Sequence, residues 1–416
     1  MAYTLCLSGG GFRATLFHLG VIRRLLFLDV FDQIERINSV SGGSIAAGMV
    51  MMELSKGTFK STVDFDQRVI KPIIRFIQKS PRNNIYRLVP LRKDPMKFAD
   101  LLDKELFNRI AFNEITRRPE WVCYATSLNS AFSWKYSQNE IGDSSIGHTQ
   151  PTKQDRVSLG VAASACFPPL FKPMSFNTNN RSFRYKYVEG KLVDHNNPSP
   201  PGEILLTDGG VYDNLGSESV LTKGSSFIIS DASGITRNWR HRNPAIMEEI
   251  KRPVDIAMDQ NGKLRRRLIF DALIKSKQSV LIESAKLITT YSSKEIPQFE
   301  SPTKIEDMPV YPILQRDLEI AIGEIRTDLN AFHDIEIQLL IWNGMAKVDA
   351  ALKRWVPSII NGTQWSLVPQ LQGIDQDTAL KIMQAGKHQK LWGTLHKELH
   401  LNPDRKFIDQ ISEVLC

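Results

Sequence analysis

Cysteine is scarce, with four in 416 residues, and Cys6, Cys123, Cys166 and Cys416 form no CxxC pair and no metal-ligand spacing. Such usage suits reduced thiols in a cytoplasmic protein and argues against a disulfide framework. Long apolar runs are missing too. The best stretch, 14–30, is broken by His18, Arg23 and Arg24, short of the roughly 18 apolar residues that a membrane span needs. The opening MAYTLCLSGGG lacks the basic and apolar regions of a secretory signal. A soluble protein, at most peripheral at a membrane, is therefore expected. No GxxxxGK[ST] phosphate loop, internal repeat or low-complexity tract occurs.

What is present is ordinary globular material, 42% hydrophobic and 24% charged, enough for one large domain or two modest ones. Lys and Arg outnumber Asp and Glu by 53 to 45. That excess favours acidic surfaces without choosing among nucleic acid, anionic lipid and no partner at all.

Two strand, turn and helix units open the chain. An apolar, β-prone run at 3–7 leads into Ser8-Gly9-Gly10-Gly11 and helix-spaced apolar positions over 12–28. A second run at 36–40 leads into Ser41-Gly42-Gly43-Ser44 and a helical pattern over 45–54. Consecutive units of this kind predict a parallel, doubly wound sheet with its functional atoms beyond the carboxyl ends of the strands. Strand patterns return at 121–127, 132–136, 203–208 and 226–230, while 138–157 and the Asn- and Pro-rich 174–203 read as surface excursions. From about 240 onward helical patterns dominate, at 244–290, 310–356 and 375–398.

The turn Ser39-Val40-Ser41-Gly42-Gly43 places a serine at a strand-to-helix bend, the setting of a nucleophile elbow, although the usual GxSxG begins with glycine where this chain has Ser39. Gly9, Gly10 and Gly11 offer unobstructed backbone N–H groups at a helix N-terminus, as an oxyanion hole requires. The run from Gly9 to Ala14 also fits the dinucleotide pattern GxGxxA, but the second strand ends in Ser41-Gly42-Gly43 where that reading wants an acid. An activated serine needs a base. None of the eight histidines sits at a strand end beside a glycine turn: His18 falls inside the first helical run, and His388, His396 and His400 fall on late ones. Asp208 ends an apolar strand and enters Gly209-Gly210, where a parallel sheet presents its working groups. A Ser41–Asp208 dyad is the economical reading, with Asp213 and Asp231 as turn or cap residues. A carboxylate serving as base near pH 7 has to be desolvated to raise its pKa.

SGGGFRA at 8–14, SxSGG at 39–43, SACFPPLF at 164–171 and Asp208-Gly209-Gly210 together resemble the patatin-like phospholipases, and SGGGFRA is also similar to the cytosolic phospholipase A2 branch. The motifs span 8–210, about half the chain. The resemblance implies a three-layer α/β/α fold with a mainly parallel sheet, related to the α/β-hydrolases. It implies a lipid acyl hydrolase of phospholipase A or lysophospholipase type, acting through an acyl-serine on Ser41 with Asp208 as base. Gly9, Gly10 and Gly11 would form the oxyanion hole, with Arg13, Gly43, Gly209 and Gly210 in support; Arg13 would orient the loop or meet phosphate. Phe167, Pro168, Pro169 and Leu170 would line an acyl pocket. Membrane phospholipid is the implied substrate, with no cofactor, metal or nucleic acid, and the oligomeric state is left open. Residues 1–240 would form the catalytic domain, with an insertion around 53–110, and 241–416 a mostly helical extension packed on it. An esterase or thioesterase acting on other acyl substrates, and a lipid-binding protein of the same fold without turnover, remain as alternatives.

Two basic segments each admit two readings. Over 53–97 eleven Lys and Arg face four acids, and Val69, Ile70, Ile73, Ile74, Phe76 and Ile77 alternate with Arg68, Lys71, Arg75 and Lys79. This is either a basic amphipathic helix lying on lipid or a helix burying its apolar side in the core while lysines reach out to solvent. Arg265-Arg266-Arg267 is either an anion site or a solvated helix face.

Overall fold

Among the described residues, twelve strands form one sheet in the computed structural model of the chain. The structure describes residues 2–387 apart from 82–92, 117, 189–190, 198–199, 235–245, 277, 294, 296–301, 312–313 and 361–373. Cys416, His388, His396 and His400, and the expected helical positions 244–245 and 388–398, lie outside the described residues.

The strands are β1 (Tyr3–Leu7), β2 (Ile34–Val40), β3 (Glu120–Ser127), β4 (Ser133–Ser137), β5 (Ile141–Asp143), β6 (Gly147–Thr149), β7 (Met174–Asn177), β8 (Phe183–Val188), β9 (Lys191–Asn197), β10 (Glu203–Asp208), β11 (Phe227–Asp231) and β12 (Val280–Glu283). The helices that matter here are α1 (Gly11–Phe27), α2 (Gly42–Lys56), α3 (Lys71–Gln78), α4 (Val157–Ser164), α5 (Ile246–Ser276) and α6 (Asp334–Trp355). The central order β12-β11-β1-β2-β3 is parallel throughout. Beyond β3 the sheet continues antiparallel through β4, β5, β6, β8 and β9.

Both faces of the parallel part are buried, which makes three layers. Along β1, Leu5 and Leu7 join the main core while Cys6 packs into a second cluster; β11 divides Ile228 from Phe227 and Ile229, and β12 divides Val280 and Ile282 from Leu281, in the same way. This is the period-two alternation of a strand whose two sides both meet apolar cover. The main core is covered by α1, α2 and α6, the second by α5 through Ile269 and Leu273. Helix α1 is buried from Phe12 to Leu25 because α6 closes its outer side. They cross where each has a glycine: a Cβ on Gly20 would stand 1.9 Å from the Ile341 carbonyl oxygen, and one on Gly344 2.1 Å from that of Phe17.

Several expectations change. The polar stretches 138–157 and 174–203 are not excursions but supply β5 to β9. Strands with one wet face alternate rather than run apolar, as the buried-exposed pattern of β7 illustrates. The helical run 244–290 ends early, and β12 follows as an edge strand beside β11. Described residues between 269 and 383 thus join both core clusters, and β12 joins the sheet. In 53–97 the six apolar side chains from Val69 to Ile77 are all buried, which decides for the core helix; 82–92 fall outside the described residues. No described helix is long and apolar enough to cross a membrane.

Candidate active site

Strands β2 and β10 meet end to end. Val40 of β2 pairs with Tyr124 of β3, and Asp208 of β10 pairs with Ala125, the next residue along. Because β4 holds the other edge of β3 at Ala125 and Thr126, β10 occupies the edge that β2 vacates. β10 runs antiparallel to β3, not parallel as its apolar run and acid-turn ending suggested. The reversal is what points its carboxyl end at that of β2.

Ser41 follows β2 as the N-cap of α2, with φ 51° and ψ −119°. A non-glycine residue at positive φ is strained, and a sharp strand-to-helix turn produces this conformation. Gly42 permits the turn, since a Cβ there would lie 2.0 Å from the Gly11 carbonyl oxygen. Gly43 continues α2 beneath β1. The Ser41 N–H donates to Ser164 Oγ at 2.8 Å, and hydroxyls run on from Ser164 to Ser44 and from Ser44 to Ser39, 3.0 Å each. Ser39 also accepts the Trp121 indole N–H at 2.9 Å. A serine at the elbow's usual first glycine therefore satisfies a buried indole.

The Ser41 hydroxyl lies near enough to the Asp208 carboxylate to favour its charged form. Asp208 is 2% exposed and Ser41 8%. Burial pushes the Asp208 pKa up from 3.8 to about 7, opposed by the Gly210 N–H, 2.8 Å from Oδ1, and by the Ser41 hydroxyl. Oriented donors hold the carboxylate while desolvation makes its proton exchangeable near neutrality. The Ser164–Cys166 segment fixes the acid's turn from below: Asp208 N–H donates to the Cys166 carbonyl at 3.2 Å and Gly209 N–H to that of Ser164 at 3.1 Å. Phe167, Pro168, Pro169 and Leu170 follow directly and are half-buried.

The glycine loop lies against the elbow, with a Cβ on Gly9 reaching to 3.1 Å from Ser41 Cβ. Its three N–H groups are not equivalent. Gly9 N–H donates to the Asn214 carbonyl at 3.0 Å, which removes it from the expected set, while no acceptor for Gly10 or Gly11 N–H occurs among the described residues. Arg13 is 1% exposed. Its guanidinium bonds the carbonyls of Ala232 (2.7 and 3.2 Å), Gly323 (3.0 Å), Ile325 (3.3 Å) and Ser233. Those bonds occupy all five of its N–H groups, so of its two expected roles the geometry supplies orientation and no phosphate contact.

Sequence reasoning passed over several residues. Asn214, six residues past Asp208, donates to Ser233 Oγ at 2.8 Å, and its Oδ1 lies where a Cβ on Gly9 or Gly210 would be, 2.3 and 2.4 Å away. His18 is fully buried about two helix turns beyond the loop, with Nε2 2.9 Å from the Ser8 carbonyl and Nδ1 2.8 Å from Ser230 Oγ. A carbonyl only accepts, so Nε2 carries the proton. Burial pushes its pKa down to about 4, so the ring braces the loop in neutral form. Their sequence signal was faint: Asn214 stands near a recognisable turn, and His18 is a polar residue on an otherwise apolar helix. Asp213 accepts the N–H groups of Leu215, Ser217 and Glu218, and Asp231 that of Ser233, as turn residues do. Arg265 pairs with Glu218 at 2.6 Å and Arg266 with Asp231 at 2.6 Å; these two are neither an anion site nor a solvated face. Among the described residues no group of three His, Cys, Asp or Glu side chains could hold a metal ion.

A family model described as Patatin-like phospholipase matches residues 5–221. Among solved structures, human GIVD cytosolic phospholipase A2 is similar at 10% identity and a TM-score of 0.43, over 91% of this chain and 63% of that one. VipD from Legionella pneumophila is similar at 12% identity and a TM-score of 0.35, over 83% of this chain and 71% of that one. The chain thus spans 63% of the length of the first. No curated protein matches it.

Proposed function

The chain belongs to the patatin-like phospholipase family, and from that premise we propose that it is a serine acyl hydrolase releasing fatty acid from phospholipid or lysophospholipid. The observation that carries this reading is the meeting of Ser41 and Asp208 at the facing carboxyl ends of β2 and β10, where burial brings the carboxylate to a pKa of about 7. As Ser41 Oγ attacks the acyl carbonyl carbon, its proton passes to Asp208, and the carbonyl oxygen takes up negative charge. We assign Gly10 and Gly11 N–H, at the start of α1, to that charge, since fixed donors in a water-poor site stabilise a transition state most. The C–O bond to the leaving alcohol then breaks and the alcohol takes the proton from Asp208, leaving an acyl-serine. Water repeats the sequence, giving up its proton to Asp208, and Ser41 is restored as the fatty acid leaves. Arg13 and His18 hold the loop, and Phe167 to Leu170 receive the acyl chain. No step calls on a metal or cofactor.

The test is fatty-acid release from mixed phospholipid liposomes by wild type, Ser41→Ala and Asp208→Asn. Wild type is expected to turn over, and each variant to fold but fall by at least about a thousandfold, as when a member of such a unit is removed. Near-full activity of Asp208→Asn would sink the dyad. Release from soluble esters alone would replace the phospholipid substrate with a simpler one.

A further inference from the structure

Helix α5 has two faces of different character. Its inner face lies on the candidate site: Met258 would meet a Cβ on Gly210 at 2.9 Å, Asn261 donates to the Tyr212 carbonyl at 2.5 Å, and Lys251 Nζ stands 5.4 Å from the Phe167 ring centre. The outer face is apolar. Of thirteen large apolar side chains exposed among the described residues, Ile250, Ile256, Leu264, Leu268 and Ile274 belong to this one helix, each 43 to 56% exposed. Scattered exposure needs no explanation, but concentration on one element does. At 100° per residue, every exposed position of α5 falls within one arc of about 140°, and Pro253 and Ala257 lie in it as well.

Cations share the arc. Lys263, Arg267 and Lys275 are exposed among the apolar residues, against Glu249 and Asp271; Lys263 also pairs with Asp259, one turn back, at 2.8 Å. Apolar side chains flanked by cations suit the headgroup boundary of an anionic bilayer, where the former sink and the latter meet phosphate or carboxylate. The segment 53–97, whose pattern offered the same chemistry, has its apolar side chains in the core.

We propose that the outer face of α5, the helix whose inner face packs on the Gly210–Tyr212 turn, is the surface by which this protein docks on an anionic lipid bilayer. The proposal rests on the functional reading above, but its test does not depend on turnover. Co-sedimentation with phosphatidylcholine vesicles containing phosphatidylserine measures binding, and cleavage of a soluble short-chain ester measures the site. Leu264→Glu/Leu268→Glu is expected to weaken vesicle binding about tenfold or more, from two leucines no longer buried, with ester cleavage and melting temperature unchanged. Arg267→Glu/Lys275→Glu is expected to abolish the preference for phosphatidylserine, and raised salt to weaken wild-type binding. Undiminished binding by the leucine variant would overturn the proposal. So would a wild type that cleaves the ester yet ignores vesicles, or light scattering that finds a dimer split by the leucine variant, which would make the face a contact between copies. Vesicle binding through α5 without cleavage of any ester would leave the docking surface standing and overturn the proposed function.

Discussion

Burial sets two demands on Asp208 against each other. Its folded pKa of about 7 lies above the 3.8 of an ordinary carboxyl, so between those values the folded chain holds a proton that the unfolded chain has released. Stability therefore falls as pH rises from about 4 to about 7 and stays lowered above that range. Turnover by the proposed dyad runs the other way, because only the ionised carboxylate accepts the Ser41 proton. We expect kcat/KM to climb with an apparent pKa near 7, while Asp208→Asn, inactive, resists urea better than wild type at pH 8 and loses that advantage near pH 4. Equal urea midpoints for the two proteins at pH 8 would show that Asp208 carries no such cost.

At the scale of elements, α1 is held by charges that the core has swallowed. Arg24 Nε donates to Asp349 of α6 at 2.7 Å, and the same carboxylate accepts the Tyr311 hydroxyl at 2.8 Å; Arg23 binds Asp66 through two bonds of 2.8 and 3.0 Å. Removing one partner of a buried pair leaves the other uncompensated. Asp349→Leu is expected to cost about 3–5 kcal/mol, read by chemical denaturation, with the folded fraction keeping its specific activity because the pair lies well down α1 from the glycine loop. The strand-end turns were legible in sequence because small residues, a bend and a helix start are local chemistry: Ser41 and Asp208 could be named from their own neighbourhoods. The direction of β10 and its pairing with β3 and β7 could not, because each depends on a partner far along the chain; β5, β6, β8 and β9 pair mostly with near neighbours, and their polar composition hid them. The two readings of 53–97 shared one pattern, and only the burial of Val69 to Ile77 separates them.

Among the described residues, the part of the chain within the family match and the part after it share packing. One core cluster runs from Tyr3 to Met383, although the family model stops at 221. Arg13 reaches forward to Gly323 and Ile325, and Phe12 N–H, at the start of α1, donates to the Asp328 carbonyl at 3.0 Å. A chain cut after residue 240 is therefore expected to be insoluble or molten and without esterase activity, as circular dichroism and the soluble ester assay would reveal; a folded, active fragment would mean that these contacts are dispensable. The same long reach has a consequence in time. A ribosome releases the glycine loop and the serine turn well before the last carbonyls that hold Arg13, those of Gly323 and Ile325, which emerge roughly fifteen seconds to a minute later at ~5–20 residues per second. Throughout that interval the nascent chain carries Ser41 without the finished loop, so the candidate site comes together only after the segment around Gly323 and Ile325 has been made.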